Sequence, residues 1–288
     1  MERVTFLTPP TTTGERKGEF VEASSPGDKP ALLRVEGLLK DFGGLRAIDH
    51  CSFSVREGTI TGLIGPNGAG KTTMFNVITG FFQPDAGHVF LGGDDITGLA
   101  PNEIFAKGLC RTFQIPREHL SMSVIENLML VAPGQVGERF WNCWIRPGEV
   151  RRQEEEIRAR AEEVLRFVEL THVADEYAGK LSGGQKKLLE LARTLMTEPK
   201  IVLLDEPAAG VNRTLMKRLS ENIETLRRER GITFLLIEHD MNLVMNLCNP
   251  VIVMSEGRRL MEGRPEEVQR DSRVLEAYLG GQYAAAEG

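Results

Sequence analysis

The sequence predicts an α/β fold built on a mainly parallel sheet, and three observations carry that prediction. Three short runs, Ile201-Val202-Leu203-Leu204, Thr233-Phe234-Leu235-Leu236-Ile237 and Val251-Ile252-Val253-Met254, are almost wholly apolar. Runs of that length without alternation fit strands covered on both faces, as strands of a parallel sheet are. Segments of helical periodicity separate them, which is the connection that parallel strands need. Finally, the apolar stretch Thr59 to Ile64 runs into a glycine-rich turn and then into Lys71-Thr72-Thr73, a strand–loop–helix unit.

The chain has 288 residues, 41% of them hydrophobic and 26% charged. That is ordinary globular composition and enough chain for one large domain or two smaller ones. A formal charge of -6 argues against broad nucleic-acid binding, which relies on clustered Lys and Arg. Cys51, Cys110, Cys143 and Cys248 are scattered without metal-ligand spacing and read as buried free thiols in a reducing compartment. No apolar run approaches a membrane span. Glu15, Arg16, Lys17 and Glu19 interrupt any signal-peptide core. The expected location is therefore cytoplasmic, with any membrane part supplied by a partner.

Taken in order, residues 1–30 mix Thr, Pro, Ser, Gly and charge and read as a flexible extension. Globular structure is expected from 31 to 280, with 281–288 as a tail. Leu32, Leu33 and Val35 suggest a strand, and Cys51 to Val55 alternates as a half-buried strand does. Between them, Lys40-Asp41-Phe42-Gly43-Gly44 reads as a turn presenting one aromatic ring. A helix is expected from Lys71 to a stop at Gly80, a turn at Gln83 to Gly87 and a strand at His88 to Leu91. Pro101 to Lys107 reads as a short helix with proline in its first turn, and Cys110 to Phe113 as an extended run into Gln114.

The middle of the chain is mostly helical, over roughly 115–190. Val124 to Leu130 is one helix, and Glu149 to Leu170 is a long charged one in which Ile157, Ala161, Val164, Leu165 and Val168 recur at helical spacing. The cluster Phe140, Trp141 and Trp144 is expected to pack in a core or anchor a helix, with partner contact as the second reading.

Gly65-Pro66-Asn67-Gly68-Ala69-Gly70-Lys71-Thr72, followed by Thr73, fits G-x-x-x-x-G-K-[ST], the Walker A phosphate-binding loop. Glycines let the backbone turn tightly and bring N–H groups against phosphate oxygens. Lys71 suits the β- and γ-phosphates, and the Thr72 hydroxyl suits Mg²⁺. The helix opening there points unpaired N–H groups at the same anion. Asp205 ends the Ile201 run, where open α/β sheets bind ligands, and has the Walker B role of holding the Mg²⁺ shell. Glu206, one residue on, is placed to polarise a water for attack on the γ-phosphate. Leu181-Ser182-Gly183-Gly184-Gln185 precedes a helix with an apolar stripe at Leu188, Leu189, Leu191 and Leu195, and makes a second capped, anion-seeking helix start.

With these residues in this order, residues 31–280 resemble the ATP-binding subunits of ABC transporters. The Leu181–Gln185 pentad matches the superfamily's signature sequence. Gln114 matches its Q-loop glutamine, His239 its switch histidine, Ala209-Gly210-Val211-Asn212 its D-loop, and Phe42 the aromatic that stacks on adenine. The resemblance implies a P-loop NTPase (RecA-like) core with a mainly parallel sheet, an N-terminal antiparallel β subdomain and an inserted α-helical subdomain.

It further implies that two such subunits, identical or paralogous, pair head to tail. Each ATP then lies between one chain's Walker A and the other's signature. In that arrangement Glu206 is the general base, His239 holds the γ-phosphate and attacking water, and Gln114 senses Mg²⁺ with Thr72 and Asp205. Ser182 and Gly184 serve the partner's nucleotide. Transmembrane permease subunits and, indirectly, a solute-binding protein are the implied partners, with the chain peripheral on the cytoplasmic face of the inner or plasma membrane and no nucleic acid involved.

The Phe42–Ala47, Phe75–Gly80, Arg111–Gln114, Glu206–Gly210 and Glu276–Gly280 stretches look like the subgroup that drives uptake of branched-chain amino acids, whose relatives serve urea, amides and other small polar solutes. Gly183 stands where that subgroup often has a bulkier residue, and Val211 where it has leucine. A lipopolysaccharide- or lipid-export ATPase shares most of these motifs. A soluble ABC protein acting on nucleic acid needs a coiled-coil insertion or two nucleotide-binding units, and this sequence has neither.

Overall fold

The computed structural model describes residues 30–112, 119–138 and 140–284. The expected extension (apart from Pro30), Gln114 and the end of the expected tail lie outside the described residues.

Two sheets organise the chain. The first joins β1 (Ala31–Phe42), β2 (Leu45–Arg56), β4 (Ala86–Leu91) and β5 (Asp94–Asp95) in the order β2-β1-β4-β5, with every pair antiparallel. The second joins β3 (Ile60–Ile64), β6 (Leu109–Arg111), β7 (Ile201–Asp205), β8 (Thr233–Ile237), β9 (Val251–Ser255) and β10 (Arg258–Gly263) in the order β10-β9-β3-β8-β7-β6. Its pairs are parallel except β9 with the edge strand β10.

The helices are α1 (Lys71–Ile78), α2 (Pro101–Ala106), α3 (Val124–Met129), α4 (Phe140–Ile145), α5 (Pro147–Phe167), α6 (Gly183–Leu195), α7 (Arg213–Arg230), α8 (Met241–Leu247), α9 (Pro265–Arg270) and α10 (Ser272–Ala284). Helices α3 to α6 follow one another in the middle of the chain, where helical character is expected. α10 runs into the segment set aside as a tail.

The apolar runs are continuous because the second sheet is covered on both faces. Ile201 and Leu203 belong to a core shared with Leu33, Leu63, Phe75 and Ile252. Val202 and Leu204, one residue out of phase, belong to a core with Leu188, Leu189, Ile223 and Phe234. Successive strand side chains point to opposite faces, so both phases must be apolar.

Several local expectations are corrected. β1 extends through Phe42, and the turn is confined to Gly43 and Gly44. An Asp85 carboxylate accepts the Asp41 N–H at 2.6 Å and the Lys40 ammonium at 3.1 Å, which holds this strand end extended. The long charged helix ends at Phe167 rather than Leu170, capped by Val168 and followed by Glu169 at φ 60.

Trp141 and Trp144 do not pack in the core: they are 71% and 77% exposed. α4 is a single short helix held by Asn142, whose amide donates to the Val136 carbonyl, so the rings project outward. Cys51, Cys110 and Cys248 are buried free thiols, but Cys143, on the same helix as the two tryptophans, is exposed.

Candidate functional site

The Gly65–Thr72 loop joins β3 to α1 and lies against β9, β2 and the turn between β9 and β10. Gly65 has φ 152, and a Cβ there would sit 2.1 Å from the Met254 carbonyl oxygen of β9. Gly70, which caps α1, has φ 95, and its Cβ would meet the Ala47 carbonyl of β2 at 2.3 Å. Both positions require glycine, for conformation and for space. The Gly257 N–H, from the turn between β9 and β10, donates to the Ala69 carbonyl at 3.1 Å.

Inside the loop, the Lys71 ammonium donates to the Gly65 and Pro66 carbonyls at 2.7 and 2.9 Å. Burial pushes its pKa down, against an opposing pull from the Glu206 and Asp205 carboxylates. Those two acids therefore lie within electrostatic reach of Lys71, on the next strand but one in the sheet. Pro66 is half-buried, whereas Asn67, Gly68 and Thr72 are exposed and Thr73 is partly exposed.

Asp205, the last residue of β7, is buried, and its Oδ2 accepts a 2.7 Å hydrogen bond from Arg111. Glu206 follows in a left-handed conformation, φ 48, with its N–H on the Ile237 carbonyl at 2.9 Å. A non-glycine residue in that region is strained and needs its surroundings to hold it. The Glu206 carboxylate is 27% exposed and lies 3.8 Å from His239 Nδ1.

His239 follows β8, and the residue before it matters as much. Glu238 is 1% exposed, and its two oxygens accept from the Ala208 N–H at 2.8 Å and the His239 N–H at 3.2 Å. Burial raises its pKa, and these backbone donors oppose that shift. One carboxylate thus ties the segment after Glu206 to the histidine segment. Beyond Ala208 the chain turns through Gly210, φ 71, to Asn212, whose side chain caps α7 by accepting the Leu215 N–H at 3.0 Å.

The Leu181–Gln185 turn forms a reciprocal cap. Ser182 Oγ accepts the Gln185 N–H at 3.3 Å, and Gln185 Oε1 accepts the Ser182 N–H at 2.9 Å. Leu181 is buried and Gly184 lies against Leu215 of α7, while Ser182 and Gly183 are exposed. Among the described residues, no hydrogen bond or ion pair joins this turn to the phosphate loop of the same chain. Phe42, at the end of β1, is 42% exposed and meets Phe82 edge-on with ring centroids 5.3 Å apart.

The structure therefore brings Lys71, Asp205, Glu206 and His239 together, while the Ser182 turn and Phe42 are exposed at the surface. Sequence reasoning missed Glu238, Phe82 and the link from Arg111 to Asp205. Only Glu238 carried a signal, an acid directly after an apolar strand. Chemically, the cluster offers a cation beside two carboxylates and an imidazole next to a glycine-rich loop, which suits a phosphate group and an attacking water.

Comparison with known proteins bears on this arrangement. Residues 48–209 match the family described as ABC transporter, and residues 258–284 match the one described as branched-chain amino acid ATP-binding cassette transporter. The chain is 42% identical over 249 residues to the high-affinity branched-chain amino acid transport ATP-binding protein BraF of Pseudomonas aeruginosa, covering 86% of this chain and 98% of that one. It is 40% identical, with the same coverage, to the corresponding protein LivG of Escherichia coli. Among solved structures it is similar to the ADP conformation of MJ1267, an ATP-binding cassette of an ABC transporter, with TM-score 0.76, 41% identity, and 88% and 100% of the two chains covered.

Proposed function

The chain belongs to the ABC transporter ATP-binding family and hydrolyses ATP, and from that premise we propose that it powers uptake of branched-chain amino acids through separate permease subunits. The match of residues 258–284 to the branched-chain amino acid cassettes carries the choice of solute over lipid export. Among the described residues no helix is long and apolar enough to cross a membrane. The membrane path then belongs to the permeases, with this chain docked on their cytoplasmic face, and a separate solute-binding protein delivers the solute.

ATP is held by residues 65–73, with Lys71 turning from its loop carbonyls to the β- and γ-phosphate oxygens and Phe42 stacking on the adenine. The exposed Thr72 hydroxyl and the buried Asp205 carboxylate are hard oxygen donors of the kind Mg²⁺ takes. With Gln114 they would hold that ion, which when bound neutralises charge on the phosphate oxygens. Glu206 takes the proton of the attacking water as the water oxygen bonds to the γ-phosphorus and the bond to the β–γ bridging oxygen breaks. His239 orients that water and the γ-phosphate.

The single observation behind the paired arrangement is the Ser182 cap. It is a formed, exposed helix start, with no hydrogen bond or ion pair to the phosphate loop of its own chain among the described residues. Two chains, identical or paralogous, place the Leu181–Gln185 turn of each over the other's nucleotide, and hydrolysis reopens the pair.

Pull-down of the tagged chain from native membranes tests the assignment. Two permeases that, reconstituted with this chain and their binding protein, accumulate labelled leucine in proteoliposomes are the expected result. A lipid-extracting permease pair would overturn it.

A further inference from the structure

Arg111 is the last residue of β6, where its backbone pairs with Leu203 of β7. It is a cation in a strand otherwise made of buried Leu109 and Cys110, and its side chain is 7% exposed. The guanidinium is a planar fork that serves several acceptors at once. Nη2 donates to Asp205 Oδ2 at 2.7 Å, and Nη1 donates to Asn76 Oδ1 at 2.6 Å and, more loosely, to Thr79 Oγ1 at 3.5 Å. The Phe75 ring lies 5.5 Å from the guanidinium carbon.

The placement of those acceptors is informative. Asn76 is on α1 and Thr79 caps its C-terminal end, four and seven residues after Thr72, a spacing that puts all three on one face of the helix. Asp205 is on β7. One buried cation therefore spans the two elements that carry the hydroxyl and the carboxylate assigned to Mg²⁺. Among the described residues, Arg111 is the hydrogen-bond partner of that carboxylate, through Oδ2.

The geometry points to Arg111 as a positioning residue for the metal–nucleotide site: it fixes the Asp205 carboxylate by Oδ2, which would leave Oδ1 for the metal, and locks β7 to the face of α1 that carries Thr72. Partners that orient a metal-binding carboxylate commonly matter to metal affinity nearly as much as the ligands themselves. A purely structural ion pair would instead alter stability and leave metal affinity alone.

The inference rests on the reading of Asp205 as a Mg²⁺-side group, so the experiment separates the two. Mn²⁺ affinity of the ADP complex is measured by electron paramagnetic resonance, and ADP affinity by calorimetry in EDTA. The variants are Arg111→Met, Arg111→Lys, Asn76→Ala and Asp205→Asn. Arg111→Met is expected to weaken Mn²⁺ about tenfold or more, with metal-free ADP affinity changed by less than about twofold. Arg111→Lys recovers part of the loss, and Asn76→Ala gives a smaller loss in the same direction.

Mn²⁺ affinity unchanged in folded Arg111→Met, or falling in step with metal-free ADP affinity, overturns the assignment. If Arg111→Met fails to fold, unchanged Mn²⁺ affinity in both Arg111→Lys and Asn76→Ala overturns it. Unchanged affinity in Asp205→Asn overturns the reading of Asp205 itself.

Discussion

His239 Nδ1 lies 3.8 Å from Glu206 Oε1, too far for a hydrogen bond and close enough for an ion pair once the imidazole is protonated. A water seated beside the pair can hydrogen-bond to both at once, donating to the carboxylate. Glu206→Gln should therefore bind ATP as well as wild type and lose hydrolysis by about a hundredfold or more, the general-base contribution. His239→Ala should show the same pattern. Phosphate release and equilibrium ATP binding, measured side by side, check this; wild-type turnover in Glu206→Gln removes it as the base.

Lys71 is the cation of the Gly65–Thr72 loop, proposed to hold the phosphates, and its ammonium already makes two bonds to carbonyls at the loop's start. Lys71→Ala loses a charge-assisted contact worth about 1.5–3 kcal/mol, roughly tenfold to a hundredfold in affinity. Calorimetric titration with ATP reads this directly, and undiminished binding would remove the lysine from the site.

Glu238 carries a stability prediction with a defined pH sign. Its pKa is raised from 4.5 by burial, so between that value and the raised one the native state holds more proton than the unfolded state. Stability from this carboxyl is then fully present below pH 4.5 and is lost as pH rises through the native pKa. Glu238→Gln abolishes that slope, so the stability difference between wild type and variant should shrink with rising pH and level off. An amide accepts from only one of the two backbone donors, so the variant should also turn over ATP more slowly. Denaturant melts across the acid range test the sign; a difference that grows with pH contradicts it.

Phe42 and Phe82 form an edge-on pair at the surface. If Phe42 stacks on adenine, Phe42→Ala costs about 1–3 kcal/mol of nucleotide affinity, the usual value of a base on an aromatic ring. Phe82→Ala, which removes only the support, should cost less. Equal ATP and triphosphate affinities in wild type would show that no base stacking exists to lose.

The parts legible in the sequence are those whose physics is local. The strands at 201–204, 233–237 and 251–254 are readable because both faces are buried and every position must be apolar. The phosphate loop is readable because Gly65 and Gly70 need a particular backbone. Arg111 was not readable as a partner of Asp205, since the two are 94 positions apart and meet only when β6 and β7 pair. Glu238 meets Ala208 across 30 positions for a similar reason. Exposure overturns only the core-packing reading of Trp141 and Trp144: aromatic content suggests burial, whereas a helix of 6 residues offers too little face to bury them.

The central claim is that this chain carries two halves of different sites: Lys71 of one subunit works with Ser182 of another. The most direct measurement is the ATP turnover of an equimolar mixture of Lys71→Ala and Ser182→Arg chains, each inactive alone. In mixed pairs, one composite site combines the intact Lys71 of one chain with the intact Ser182 of the other, so the mixture should hydrolyse ATP measurably. A mixture as inactive as its two components would contradict the account.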